Sequence, residues 1–354
     1  MNSIALPRSS GVRARRPIAL GGLVLLLALA ALWSLSQGAM NLSAAEVLGS
    51  IGRWSSGHPL TGDDRVVLML RLPRVLMAML VGASLACGGA AMQGLFRNPL
   101  ADPGLIGVSA GSALGAVVMI VLGGVLFGGA SGLAGSLGVA MAAFVGGLVA
   151  TALVYLMGRR RPGVATLLLA GVAVSAIAMA GIGLLTFMAN ENQLRDLTFW
   201  SLGSLGGSDW QRLGIVTLPM LLPLLWLPRT ARALNALLLG EHEARLLGFR
   251  PERVQPLLIA LVALMVSAAV SMTGVIGFIG LLVPHLLRLV WGPDHRMLLP
   301  ASALGGAALL VAADTLARTL VAPAELPIGV LTALIGGPFF LWLLLRSRIG
   351  EVRT

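Results

Sequence analysis

Ten apolar runs, each close to the length that crosses a bilayer, recur between Ile18 and Leu345 and leave this chain few alternatives. A segment in hydrocarbon must satisfy its own backbone hydrogen bonds, so repeated runs of this length fold as helices. The expected spans are 18–36, 70–92, 104–127, 133–157, 164–188, 211–228, 254–273, 278–291, 298–316 and 328–345. The fold class is therefore all-α: one polytopic membrane domain over 1–354, with about ten transmembrane helices. A mean hydropathy of +0.92 and a charged fraction of 11% exclude an ordinary soluble domain, which carries about 25% charged residues.

Orientation follows from the basic residues. All 25 are arginine, and they gather in alternate gaps between spans. Arg8, Arg13, Arg15, Arg16, Arg97, Arg159, Arg160, Arg161, Arg229, Arg232, Arg245, Arg250, Arg253, Arg296, Arg346, Arg348 and Arg353 fall on one side. Arg53, Arg65, Arg71, Arg74, Arg195, Arg212 and Arg318 fall on the other, and Arg288 belongs clearly to neither. The positive-inside rule places both termini in the cytoplasm. The net charge of +11 marks topology, since the arginines sit at span ends and form no continuous face for nucleic acid. The run from Ile18 to Leu35 is longer than a signal-peptide core and lacks a clear cleavage site, so it is expected to stay as the first helix.

Several chemistries are excluded. A P-loop needs a lysine, and the chain has none. ATP-driven work would need a partner that holds the ATP and Mg; this chain is expected to bind no cofactor and no metal. Cys87 is the sole cysteine, and His58, His242, His285 and His295 are scattered without metal-ligand spacing.

Glycine and proline punctuate the spans. Gly107, Gly111 and Gly115 repeat at the spacing that lets helices approach closely, as do Gly82, Ala86 and Ala90. Asp102 before Pro103 reads as the N-cap that starts the third span. Gly274–Gly280 and Gly329–Gly337 predict short broken helices of the kind that line cavities in transporters.

Sequence blocks across nearly the whole chain carry a resemblance. They are Arg71-Leu72-Pro73-Arg74; Met92 to Gly104, reading MQGLFRNPLADPG; Gly107-Val108-Ser109; Phe199 to Leu205, reading FWSLGSL; Gly277 to His285, reading GFIGLLVPH; Asp294-His295-Arg296; Ala313-Asp314; and Ala324 to Gly329, reading AELPIG. Together they resemble the permease subunits of ABC importers for iron-siderophores, hemin and vitamin B12, with only the first sixty or so residues unmatched. The resemblance implies ten helices per subunit, a second copy of the chain around a central pathway, two cytoplasmic ATPase subunits and a periplasmic binding protein. It also implies residence in a bacterial inner membrane.

Three sets of residues are candidates for function. Between the sixth and seventh spans, residues 234–248 mix leucines at helical spacing with charges. The alternatives are a loop tucked against the bundle and a docking element whose Leu239, Ala244 and Leu247 enter a partner's groove, with Glu241, Glu243 and Arg245 at the rim. Gly240 and Gly248 would turn the backbone at its ends, and the resemblance makes this segment the coupling element that meets the ATPase. Arg71, Arg74 and Arg318 sit where positive charge is sparse. Snorkelling to lipid phosphate, pairing with Asp314 or Glu325, and docking of acidic groups from a binding protein all remain open; the resemblance favours docking. On the implied pathway, Ser175, Met179 and Thr186 lie on the fifth span. Arg195 and Trp200 lie in the following outer loop, where they would meet a propionate and a flat apolar face. That loop is more similar to the hemin branch than to the siderophore or cobalamin branches. An ion-coupled secondary transporter would need intramembrane carboxylates, and Asp314 alone lies well inside a span, near its outer end and four residues from Arg318.

Overall fold

A computed structural model describes residues 10–38, 40–127, 132–160 and 163–351, with the side chains of 10–15, 126, 127, 132–134, 160, 343, 344 and 346–351 excepted. Arg8, Arg161 and Arg353, and the side chains of Arg13, Arg15, Arg160, Arg346 and Arg348, lie outside the described residues. The helices are α1 (Ser10–Ser36), α2 (Ala44–Ser55), α3 (Gly62–Arg65), α4 (Leu72–Leu95), α5 (Val108–Phe127), α6 (Gly132–Arg160), α7 (Val164–Met188), α8 (Glu191–Leu202), α9 (Trp210–Trp226), α10 (Ala231–Leu239), α11 (Glu241–Leu246), α12 (Pro251–Thr273), α13 (Ile279–Trp291), α14 (His295–Thr319) and α15 (Ile328–Glu351). Among the described residues, eight helical stretches are long and apolar enough to cross a bilayer. α13 and Ile328–Trp342 of α15 are shorter apolar helices, and with them the ten expected spans are all present.

Two expected boundaries move. The second span begins at Gly62, because a capping box between Thr61 and Asp64 starts α3, and a π-helical turn over Val66–Arg71 carries the helix into α4. That wide turn is held by Trp210, whose indole N–H donates to the Leu68 carbonyl at 2.9 Å. The third span begins at Val108. Asp102 does cap a helix, but it is one 3-10 turn, Pro103–Ile106, ended by Gly107 at φ +78°. Gly107 therefore supplies a left-handed corner, and only Gly111 and Gly115 of the expected stripe lie on α5.

The core is built backbone against backbone. α4 is the most buried span and stands at the centre against α12, α13 and α14. A methyl on Gly82 would overlap the Gly306 carbonyl, and one on Gly89 would overlap the Gly280 carbonyl. Likewise, α5 and α6 meet at Gly111 and Gly115, where methyls would run into Gly146 and Ala142. Lipid tails are as apolar as leucine, so burial of apolar surface drives helices together only weakly inside a bilayer. Close approach, which multiplies dispersion contacts, supplies the attraction instead. α1 and α7 lie at the periphery, with most of their surface exposed.

Candidate functional site

The arginine-poor end carries a cluster built around Asp314, which is 1% exposed. Arg74 donates to both of its carboxylate oxygens at 2.9–3.1 Å, and Arg318 pairs with it at 3.2 Å. Arg74 also holds Glu325 by two bonds, of 3.0 and 2.9 Å. The Arg74 guanidinium keeps the Glu325 carboxyl below the usual glutamate range. Arg71, by contrast, turns inward. Its guanidinium donates to the carbonyls of Leu35 (2.6 Å) and Met40, while Arg318 donates to Ser34 (carbonyl 3.2 Å, hydroxyl 2.8 Å). These carbonyls lie at and just beyond the C-terminus of α1, where no intrahelical donor remains. No basic residue sits in that helix's own last turn, so two arginines from other helices cap it.

Of the readings left open for Arg71, Arg74 and Arg318, pairing within the chain is the one this structure displays. Arg71 is the last residue of the π turn, and each of the three arginines already has partners in its own chain. The structure does bring all three into one cluster; a pairing of Arg318 with Asp314, and of Glu325 with one of the arginines, were foreseen as alternatives, and the arginine that meets Glu325 is Arg74.

At the arginine-rich end, Asp294 ties three helices together. It accepts from Arg16 (2.6 Å), Asn235 (2.7 Å) and the Arg296 backbone N–H (3.0 Å), and Asn235 in turn accepts from the His295 N–H at 2.9 Å. Burial pushes the Asp294 carboxyl up, but these hydrogen bonds outweigh it and hold it below the usual range. Asn235 and Asp294 thereby position α10, and sequence reasoning did not single them out. The available signal was Asp294 itself, an N-cap residue directly before a long apolar helix.

Residues 234–248 form two short helices, α10 and α11, with Gly240 at φ +135° between them and Gly248 at φ +86° after them. Leu239, Leu246 and Leu247 are all well exposed, whereas Ala244 is fully buried. Ala244 is therefore a packing residue and cannot enter a partner's groove, and Leu246 joins the exposed set in its place. Arg245 pairs with Glu252 at 2.6 Å, and Glu241 accepts from Gln255 at 3.0 Å. Both fasten α11 to the start of α12. The Glu243 carboxylate folds back over Gly240. A groove of about 280 Å³ beside this segment is lined by Arg232, Asn235, Leu239, Leu247, Phe249 and Arg296.

α7 presents a bare apolar face. Ser175 is half-buried, Met179 and Thr186 are exposed, and Phe187 is 88% exposed. The segment after it is a helix, α8, which corrects the expected loop. A capping box between Asn190 and Gln193 starts it, and the Gln193 amide then donates to the Val121 carbonyl at 3.0 Å. Arg195 and Trp200 diverge. Arg195 lies on the exposed side, 5.9 Å over the Phe199 ring, and Trp200 lines a cavity of about 480 Å³ within the subunit, together with Met119, Asp196, Arg212 and Met272. Arg195 and its neighbour Asp196 point apart, because adjacent helical positions do not face each other.

A helical bundle with broken spans, an inward-tied pair of short helices at one end and an acid–arginine cluster at the other defines a membrane permease. The profile of the FecCD transport family matches residues 26–346, and the chain belongs to that family. It is 46% identical over 338 residues to the hemin transport system permease protein HmuU of Yersinia pestis, covering 95% of this chain and 98% of that one. It is 43% identical over 329 residues to the vitamin B12 import system permease protein BtuC of Klebsiella pneumoniae, covering 92% and 93%. A solved inward-facing conformation of a metal-chelate type ABC transporter superposes with a TM-score of 0.81 at 36% identity, over 93% of this chain and 99% of that one. The protein is the permease component of an ABC importer, in which the ATPase is a separate subunit.

Proposed function

We propose that this permease carries hemin from the periplasm to the cytoplasm across a bacterial inner membrane, with both termini cytoplasmic. The near full-length likeness to a hemin permease supports that cargo. The wide apolar face of α7 suits a large flat substrate, since it offers few groups that would hold it. In this reading a second copy of the chain covers that face and the pathway runs between the two, past Ser175, Met179 and Thr186, with Arg195 near its mouth. The likeness to a vitamin B12 permease favours cobalamin as the second reading, and a ferric siderophore would use the same route. Uptake into liposomes holding the permease, a partner ATPase and a periplasmic binding protein tests this, with hemin, cobalamin and a ferric siderophore offered separately. ATP-dependent accumulation of hemin is the expected result, and accumulation of another cargo in its place would overturn the assignment.

The exposed leucines of α10 and α11 support an ATPase docking role for residues 234–248. Leu246→Asp and Leu247→Asp are expected to change stability by less than about 0.5 kcal/mol, because both side chains already face outward. Both are expected to abolish cargo-stimulated ATP hydrolysis by the partner. Ala244→Asp would act differently, unfolding α11 by burying a charge. Normal stimulation in both leucine variants would rule out this docking surface. At the opposite end, the cluster of Arg71, Arg74 and Arg318 carries three positive charges against the two of Asp314 and Glu325. That surplus favours an acidic group on the periplasmic binding protein as its visitor.

A further inference from the structure

Within the arginine cluster the two carboxylates are not equivalent. Asp314 is sealed between Arg74 and Arg318, whereas Glu325 has 46% of its side chain exposed while holding Arg74 in a two-bond fork. An incoming carboxylate seeking the same fork meets Glu325 first, and one guanidinium edge cannot serve both. Glu325 is the acid that can leave, since its carboxylate regains water when it does.

The chain after Glu325 has no slack. The Leu326 N–H donates to the Ala317 carbonyl at 2.9 Å, and the Ile328 N–H donates to the Gly203 carbonyl at 3.0 Å, at the point where α8 ends. One residue on, the Ser204 N–H donates to the Thr273 carbonyl at 2.7 Å, at the end of α12. Gly329 lies so close to the Leu202 and Val275 carbonyls that a methyl would not fit, and Gly274, at φ +70°, lies equally close to the Trp200 carbonyl. Three chain breaks therefore interlock through backbone alone: the end of α8, the gap between α12 and α13, and the turn before α15. Backbone packed on backbone has no side chain to absorb a displacement, so movement of one break moves the others.

We propose that Glu325 is an internal stand-in for the docking partner's carboxylate, and that its release from Arg74 is relayed through Ile328 and Gly203 to α8. The relay rests on the reading that an acidic partner docks at this end. It gives α8, which follows directly on α7, a reason to shift when docking occurs. Glu325 is a positioning residue here, because it acts through Arg74 and the turn.

The test uses the full-length permease in nanodiscs, with the binding protein that supports uptake as the probe. Glu325→Gln and Glu325→Ala both remove the competitor, and each is expected to tighten binding about two- to fivefold, the worth of a half-exposed ion pair. Without any binding protein, both variants are expected to speed amide hydrogen exchange in peptides covering residues 197–204 and 326–330, and to leave the middle of α12 unchanged. Wild-type permease is expected to show the same pattern when the binding protein is added. Weaker binding in both variants would make Glu325 a direct contact and overturn the stand-in role. Unchanged exchange around α8 would overturn the relay. The docking reading stands or falls separately on Arg74→Gln and Arg74→Lys, which lose the fork: if both bind the probe as wild type does, docking does not use this cluster, whatever the exchange pattern shows.

Discussion

Asp314→Ala is expected to cost the fold about 3–5 kcal/mol, enough to remove most folded protein from detergent extracts. The side chain is 1% exposed, and the Arg74 and Arg318 side chains that flank it are 13% and 10% exposed. Deleting the carboxylate leaves two arginines close together with no buried counter-charge. Arg318 would also lose the anchor that holds it beneath the end of α1, so the cap on Ser34 would loosen with it. Glu325→Gln is the matched control. Its carboxylate is half in water, so its loss costs no more than about 1 kcal/mol. Thermal melting of the two purified variants separates them. An Asp314→Ala protein that melts with Glu325→Gln would show that Arg74 and Arg318 find water or lipid phosphate instead.

Gly89→Ala is the second large effect. The added methyl would sit on the carbonyl of Gly280, and both partners are main chain. Neither can rotate away, so α4 and the start of α13 must separate. A destabilisation of about 1–3 kcal/mol is expected from the overpacking. The backbone at Phe278 is already in the left-handed region at φ +68°, and its ring lies against Gly336, so α13 cannot shift without disturbing α15. Transport should therefore fall further than stability does. Gly21→Ala in α1 is the control, since nothing lies within 4 Å of the new methyl. Equal melting temperatures and equal uptake for the two variants would count against close packing as the force that sets this bundle.

How much of this was legible depended on the kind of physical constraint. α8 was readable and was missed: Asn190 and Gln193 form the spacing of a capping box, but its mixed polarity between two apolar runs reads as a loop. Arg71 was not readable. Its spacing from Arg74 puts the two on one face of a regular helix, and nothing in Val66–Arg71 announces a π turn. Ala244 was misassigned because a helix of six residues is too short for its periodicity to tell the buried side from the exposed one. The bond between Arg74 and Glu325 joins positions 251 apart, and local pattern offered only the candidates for it.

The sequence alone determined the number of spans, the sorting of arginines to two ends, the broken helices and the family. Each of these follows from a constraint acting along the chain: the thickness of a bilayer, the cost of moving charge through it, and the backbone freedom of glycine. Tertiary structure alone decided which arginine meets which acid, that Arg71 and Arg318 cap α1, and that three chain breaks lock together beneath Glu325. Those outcomes depend on which helices come within hydrogen-bonding distance. Here that is set by glycines whose missing side chains let one backbone touch another far along the chain.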